Sequence, residues 1–147
     1  MRSPRAALLA AGAALLAACG SAPRAPESFR TTSVSRAPGE FGAMRSVLVQ
    51  VAFAREAKDS ATLRTLFPDA LAAGRRLLAM PPPHDLDRED IPRFLEARAS
   101  FTDELNAYGR AQAAPDDAAL LRTAKALEDA YWAWYDVYRG RAPEGAV

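Results

Sequence analysis

The chain has 147 residues, of which 50% are hydrophobic and 25% are charged, with 19 basic and 18 acidic side chains. This composition is typical of a globular domain, and the balance of charge excludes both the basic surface of a nucleic-acid-binding protein and the acidic excess of a metal buffer. A single cysteine and a single histidine exclude a disulfide within the domain and the usual zinc ligand sets.

Residues 1–18 predict a signal peptide that is not part of the fold. Arg2 and Arg5 form a short basic region, and the apolar run Ala6–Ala18 that follows is shorter than the about 20 residues of a permanent membrane span. The run ends in Leu-Ala-Ala-Cys and resembles the bacterial lipoprotein signal, in which cleavage occurs just before a cysteine that carries lipid. The resemblance implies a chain that is anchored to a membrane through lipid on Cys19. The alternative is an ordinary signal peptide with a chance cysteine.

Cleavage before Cys19 would also remove Arg2 and Arg5 from the 19 basic residues, leaving 17 against 18 acidic ones. The mature net charge is then near −1, so no nucleic-acid partner is expected. Gly20 after the cysteine, rather than aspartate, favours the outer membrane of the bacterial cell envelope, facing the periplasm.

Three further segments follow the signal peptide. Residues 19–37 are rich in Ser, Thr, Pro and Arg without an apolar period, and predict a lipidated flexible tether. Residues 38–140 are enough for one compact domain and too few for two. Residues 141–147 contain Pro143 and Gly145 and predict a disordered tail.

Within 38–140, apolar residues recur at spacings of three and four, which predicts helices at about 38–58, 60–80, 90–112 and 116–139. Pro68 predicts a kink or break in the second helix, and Asp116 is the expected cap of the fourth. No segment alternates polar and apolar residues as a strand does. The predicted fold is all-α, an antiparallel up-down-up-down four-helix bundle.

Both tryptophans and three of the four tyrosines lie within residues 131–139 of the last helix. The apolar stripe of this helix has spacings of 4, 3, 4, 3 and 4, which is typical of the core-facing side of a left-handed bundle. It consists of Leu120, Ala124, Leu127, Tyr131, Trp134 and Tyr138.

This layout resembles the four-helix cytochromes, meaning cytochrome c-prime and its soluble b-type relatives. The family places a methionine ligand or an apolar cap over the haem near the start of the first helix, where this chain has Phe41 and Met44. The last helix of c-prime proteins carries Cys-x-x-Cys-His, which falls here on Tyr131, Trp134 and Tyr135. The aromatic-basic pair that ends this motif in the family matches residues 138–139.

The two thiols and the imidazole of that motif are all replaced, so the resemblance implies a cytochrome-like bundle that has lost its covalent haem. On this hypothesis the bulky side chains at 131 and 134 fill the vacated space, assisted by Phe41, Phe101 and Tyr108. The expected function is a non-catalytic binding or structural role, without a cofactor.

Two alternatives stay open for the same pocket. One is a haem-b protein for electron transfer or gas binding, with Tyr135 as a phenolate ligand and Met44 opposite. Arg139 is a further candidate residue of this pocket. The other is a sensor that binds a small apolar ligand between the helices. His84 follows three prolines in a loop and is expected to be solvated rather than a ligand.

Trp132 lies off the apolar stripe and has two interpretations. It is a contact residue for another envelope protein or a second copy of the chain, or it packs over the boundary of the first or third helix. Nearby Glu128, Asp129 and Asp136 predict a solvated acidic face with helical ion pairs. The chain has no phosphate-binding glycine loop and no histidine placed for a nucleophile relay, so no enzymatic activity is expected.

Overall fold

The computed structural model describes residues 39–84 and 86–140, and these ranges contain four α-helices and no strand. The helices are α1 (Gly39–Glu56), α2 (Ser60–Leu78), α3 (Ile91–Ala113) and α4 (Asp117–Tyr138). The prediction of an all-helical domain with four helices is confirmed. In the described part of the chain, no helix is both long and apolar enough to span a membrane. The predicted signal peptide, Cys19, the tether and the tail at 141–147 lie outside the described residues.

Aspartate side chains cap the starts of two helices. Asp59 accepts a hydrogen bond from the backbone N of Thr62 at 3.0 Å, and Asp116 accepts one from the backbone N of Ala119 at 2.9 Å. Such caps satisfy backbone donors that have no partner inside the helix. The Thr62 hydroxyl and backbone bonds to Asp59 also hold the pKa of that carboxyl below its usual value. At the other end of the chain, Gly140 follows α4 with a φ of +66°, the left-handed conformation in which helices commonly end.

Of the kink or break predicted at Pro68, the break is wrong, because α2 runs without interruption from Ser60 to Leu78. Proline removes one backbone donor and leaves the carbonyl four residues earlier without its helical partner. Pro68 lies on the exposed side of the helix, where solvent can satisfy that carbonyl. The loss is therefore tolerated in the middle of a helix whose opposite side is held in the core.

The four helices surround one hydrophobic core. Helix α1 packs against α2 and α4, and α3 packs against the same two helices, while α2 and α4 also meet across the core. Two glycines permit a close approach of α2 and α3. A Cβ atom on Gly74 would lie 2.7 Å from Leu105 Cδ2, and one on Gly109 would lie 2.8 Å from Phe67 Cζ.

Polar contacts also fix α2 against its neighbours. The buried Tyr108 hydroxyl donates to the Leu63 carbonyl at 2.5 Å, and burial raises the pKa of Tyr108 to about 12. Arg64 donates to the Ala114 carbonyl at 2.7 Å and pairs with Asp117 at 3.0 Å. The first turn of α2 therefore lies beside the end of α3 and the start of α4.

Candidate functional site

The site predicted from the sequence is part of a group of aromatic rings that fills one end of the helical core. Helix α1 supplies one ring, α3 two and α4 four, and each ring contacts at least one other. We call this group the aromatic cluster; its members are Phe41, Phe94, Phe101, Tyr131, Trp134, Tyr135 and Tyr138.

Trp134 lies at the centre of the aromatic cluster and is 0% exposed. Its ring centroid lies 5.5 Å from that of Phe41, 5.8 Å from Phe94 and 5.4 Å from Phe101. The first two pairs are edge-to-face, the arrangement that aromatic rings favour. Its indole Nε1 is buried without a hydrogen-bond partner among the described residues, so ring packing is the main contribution of this side chain.

Tyr131 and Tyr135 lie on the side of the cluster that faces α1. The Tyr131 hydroxyl donates to the Phe41 carbonyl at 3.0 Å, and burial raises the pKa of Tyr131 far above its usual value. The ring of Tyr135 stacks on that of Tyr131 at 6.0 Å with an interplanar angle of 4°. The Arg139 guanidinium lies 5.6 Å from the Tyr135 ring centroid, close enough for a cation–π interaction.

The residues at the predicted haem positions do not fit a planar cofactor. A flat macrocycle contacts one side chain on each of its two faces, at about 3.5 Å each. The two side chains are therefore about 7 Å apart when a macrocycle lies between them. The rings of Trp134 and Tyr135 instead contact Phe41 directly, with centroids 5.5 and 5.2 Å apart. Met44 lies one turn after Phe41 and is fully buried in the same core. In this packing, the Phe41 ring lies directly against α4, without the separation that a macrocycle between these side chains would require.

Trp132 is 5% exposed, so it offers very little surface to a partner. Its ring lies 5.0 Å from that of Tyr131 and 5.7 Å from that of Tyr135, and the Arg45 guanidinium of α1 lies 5.9 Å from its centroid. Of the two interpretations of this residue, packing at the boundary with the first helix agrees with these contacts.

Glu128 is the polar residue that the sequence interpretation misplaced. It was expected on a solvated face, but it is 2% exposed and accepts a hydrogen bond from Arg55 Nη2 of α1 at 3.1 Å. Loss of solvent raises the pKa of Glu128, and the nearby Arg55 charge opposes that rise. The sequence contains only a partial signal for this burial, because Glu128 lies four residues after Ala124, a member of the apolar stripe of this helix.

The neighbouring Asp129 agrees with the sequence interpretation. It is exposed and pairs with Lys125 one turn earlier in α4. An exposed pair at this spacing contributes about 0.3–0.5 kcal/mol to helix stability. Within residues 39–84 and 86–140, no three His, Cys, Asp or Glu side chains are grouped closely enough to hold a metal ion.

A shallow groove runs between α3 and α4 on the outer surface of the domain. Its volume is about 190 Å³ and it is open to solvent, whereas small-molecule sites typically enclose about 300–1,000 Å³. It does not include any member of the aromatic cluster. The lining residues are Arg93, Glu96, Ala97, Ser100, Ala133 and Val137.

No protein-family model, curated protein or solved structure matches this chain. The resemblance to the four-helix cytochromes therefore stays a prediction from the sequence.

Proposed function

We propose that this chain is a lipid-anchored protein of the bacterial cell envelope whose cofactor-free bundle has a binding or structural role without catalysis. The observation that carries the proposal is the packing of Trp134 against Phe41, Phe94 and Phe101. If the resemblance to the four-helix cytochromes holds, these side chains lie where that family keeps haem, and their direct packing supports a bundle without the cofactor. A core completed by its own side chains favours a rigid scaffold over a redox centre.

The proposal includes an up-down-up-down order of antiparallel helices. Phe41 in the first turn of α1 and Phe94 in the first turn of α3 both contact Tyr138 in the last turn of α4. At the other end, Arg64 in α2 pairs with Asp117 at the start of α4. Both sets of contacts support helices that alternate in direction. The cytochrome c-prime-like character of the bundle remains part of this proposal.

Titration of purified residues 20–147 with haemin tests the cofactor-free part of the proposal. We expect no saturable Soret change and no stoichiometric quenching of tryptophan fluorescence, because the direct ring contacts leave no slot for a macrocycle. The Tyr135→Phe variant is the matched control, since it keeps the ring and removes the phenol oxygen. Stoichiometric haemin binding that this variant abolishes would instead establish the haem-b alternative, with Tyr135 as a ligand.

The anchoring part of the proposal is tested separately with Cys19→Ser in the full chain. We expect the wild-type chain to fractionate with the outer membrane and to carry lipid on its first mature residue, as seen in its intact mass. The serine variant has no thiol to acylate and should appear in the periplasmic fraction or retain its signal peptide. An unlipidated wild-type chain would show that the cysteine belongs to an ordinary signal peptide.

A further inference from the structure

An apolar patch lies at the start of α3. Ile91 is 38% exposed and Leu95 is 50% exposed, and among the described residues these are the large apolar side chains left most open to solvent. They are four positions apart, so they share one face of the helix. Arg98, one turn further along that face, donates to the Leu78 carbonyl at the end of α2. The patch therefore lies on the side of α3 that borders the connection from α2.

This patch is at the same end of the domain as the start of α1. The Phe41 ring lies 4.8 Å from the ring of Tyr138, and the Phe94 ring lies 6.5 Å from it. The first turns of α1 and α3 therefore both adjoin the last turn of α4. Gly39, through which the chain enters the described domain, and the Ile91–Leu95 patch consequently lie at the same end of the domain.

The chain between Cys19, the proposed site of lipid attachment, and Gly39, at the start of α1, is short. Twenty peptide steps lead from Cys19 to Gly39. For the flexible tether predicted from composition, about 5–6 Å multiplied by the square root of the number of residues gives a root-mean-square span of about 25 Å. That span is comparable to the length of the helices, about 30 Å at 1.5 Å per residue. An anchored chain thus holds the α1-start end near lipid at a high effective concentration.

The charges near the patch are balanced rather than basic. Arg88 alternates with Asp87 and Glu89, and Arg93 pairs with Asp90 at 3.2 Å. Such a set gives little attraction to an anionic surface, which requires several unpaired basic residues. Two exposed branched aliphatic side chains beside paired charges instead suit shallow insertion between uncharged or zwitterionic headgroups.

We propose that Ile91 and Leu95 form a membrane-docking surface that inserts into the headgroup region of the bilayer carrying the Cys19 lipid. The occupant of the patch is a zwitterionic phospholipid surface. This inference rests on the proposed lipid anchor. The inference adds an orientation to the anchored protein. The end of the bundle at which α1 starts lies against the bilayer, and the α1–α2 and α3–α4 connections point away from the bilayer. Docking by two side chains is weak alone and becomes persistent because the anchor makes it intramolecular.

The test uses the full lipidated chain in vesicles of phosphatidylethanolamine and phosphatidylcholine that contain a nitroxide-labelled lipid. An environment-sensitive fluorophore is attached at Ala99→Cys, an exposed position one turn beyond Leu95. The lipidated Cys19 does not compete, because its thiol is acylated. The matched control is Ala118→Cys, which is also exposed but lies in the first turn of α4 at the opposite end. Vesicle flotation measures anchoring in the same samples.

We expect the lipid nitroxide to quench the label at position 99 more strongly than the label at position 118. Adding Leu95→Asp should reduce quenching at 99 to the level at 118 while the protein still floats with the vesicles. Equal quenching at both positions in floating protein overturns the docking surface and leaves the anchor intact. Shielding of the 99 label from aqueous iodide without lipid quenching also overturns it, since a second protein copy would then cover the patch. Failure to float defeats the anchor and, with it, the inference.

Discussion

Truncation of Trp134 is the most direct test of whether the aromatic cluster stabilises the fold. The side chain is 0% exposed and touches rings from both α1 and α3, so Trp134→Ala removes contacts on two sides of the core. Truncation of a buried aromatic residue typically costs about 3–5 kcal/mol, which includes the cavity left behind. No hydrogen bond offsets or adds to this loss, because Nε1 has no partner among the described residues.

Thermal unfolding followed by circular dichroism measures this cost. Unfolding entropy of about 2.1 cal/mol/K per residue, over the roughly 100 residues of the domain, converts 1 kcal/mol to a shift in Tm of about 5 °C. The alanine variant should therefore melt about 15–25 °C below the wild-type chain. A shift of less than about 5 °C would refute the reasoning, because it would mean that the ring contributes no more than a surface contact.

Trp134→Phe is the matched control for the same position. It keeps an aromatic ring against Phe41 and Phe101 and removes the indole N–H, which has no hydrogen-bond partner in the described structure. We expect a loss in Tm clearly smaller than that of the alanine variant. Equal losses from both changes would show that a bond to the indole N–H, and not ring packing, carries the stability.

Three further predictions concern the glycines and the buried ion pair. Gly42→Ala should stabilise the domain by up to about 1 kcal/mol in urea unfolding, because its Cβ meets nothing within 4 Å. Gly74→Ala has the same helical gain, but its Cβ would lie 2.7 Å from Leu105 Cδ2, so overpacking of about 1–3 kcal/mol opposes that gain and this variant should be less stable than Gly42→Ala. Arg55→Ala should cost about 3 kcal/mol at pH 7 in the same assay, since it leaves the Glu128 charge buried without its guanidinium. The folded-state pKa of Glu128 is raised, so wild-type stability relative to Glu128→Gln should increase as pH falls from neutral towards the unfolded-state value and decrease as pH rises through the folded-state pKa. A pH-independent difference between these two chains would contradict that assignment.

The sequence predicted the four helices because each has a long apolar stripe and the three connections between them contain strong stop or cap residues. Asp116 and the three prolines at 81–83 are local signals whose effect does not depend on distant parts of the chain. The sequence also predicted correctly that Phe41, Tyr131 and Trp134 lie together, because residues on the core-facing stripes of neighbouring helices meet in the core.

The features that the sequence did not predict depend on which helices become neighbours. Glu128 is buried because Arg55, 73 residues away, meets it from α1. The ring of Trp132 is likewise covered from α1, where the Arg45 guanidinium lies over it. Gly74 and Gly109 mark the close approach of α2 to α3, which no local pattern reveals. For Glu128 the residue type indicated a solvent-exposed position, and for the tryptophan and the glycines it did not indicate a particular environment. The burial of each residue was determined by the packing of one helix against another.

The Arg55–Glu128 pair also bears on why this core has one arrangement. A buried ion pair is seldom a net source of stability, because desolvation of the two groups offsets their attraction. It does penalise alternatives: sliding α1 against α4 by one turn would leave Glu128 buried without its guanidinium, whereas an aliphatic core could repack at modest cost. The hydrogen bond from the Tyr131 hydroxyl to the Phe41 carbonyl, near the start of α1, requires the same register. We therefore expect Arg55→Met combined with Glu128→Met to retain or increase stability while broadening the NMR signals of the α1–α4 interface, which would separate the contribution of the pair to specificity from its contribution to free energy.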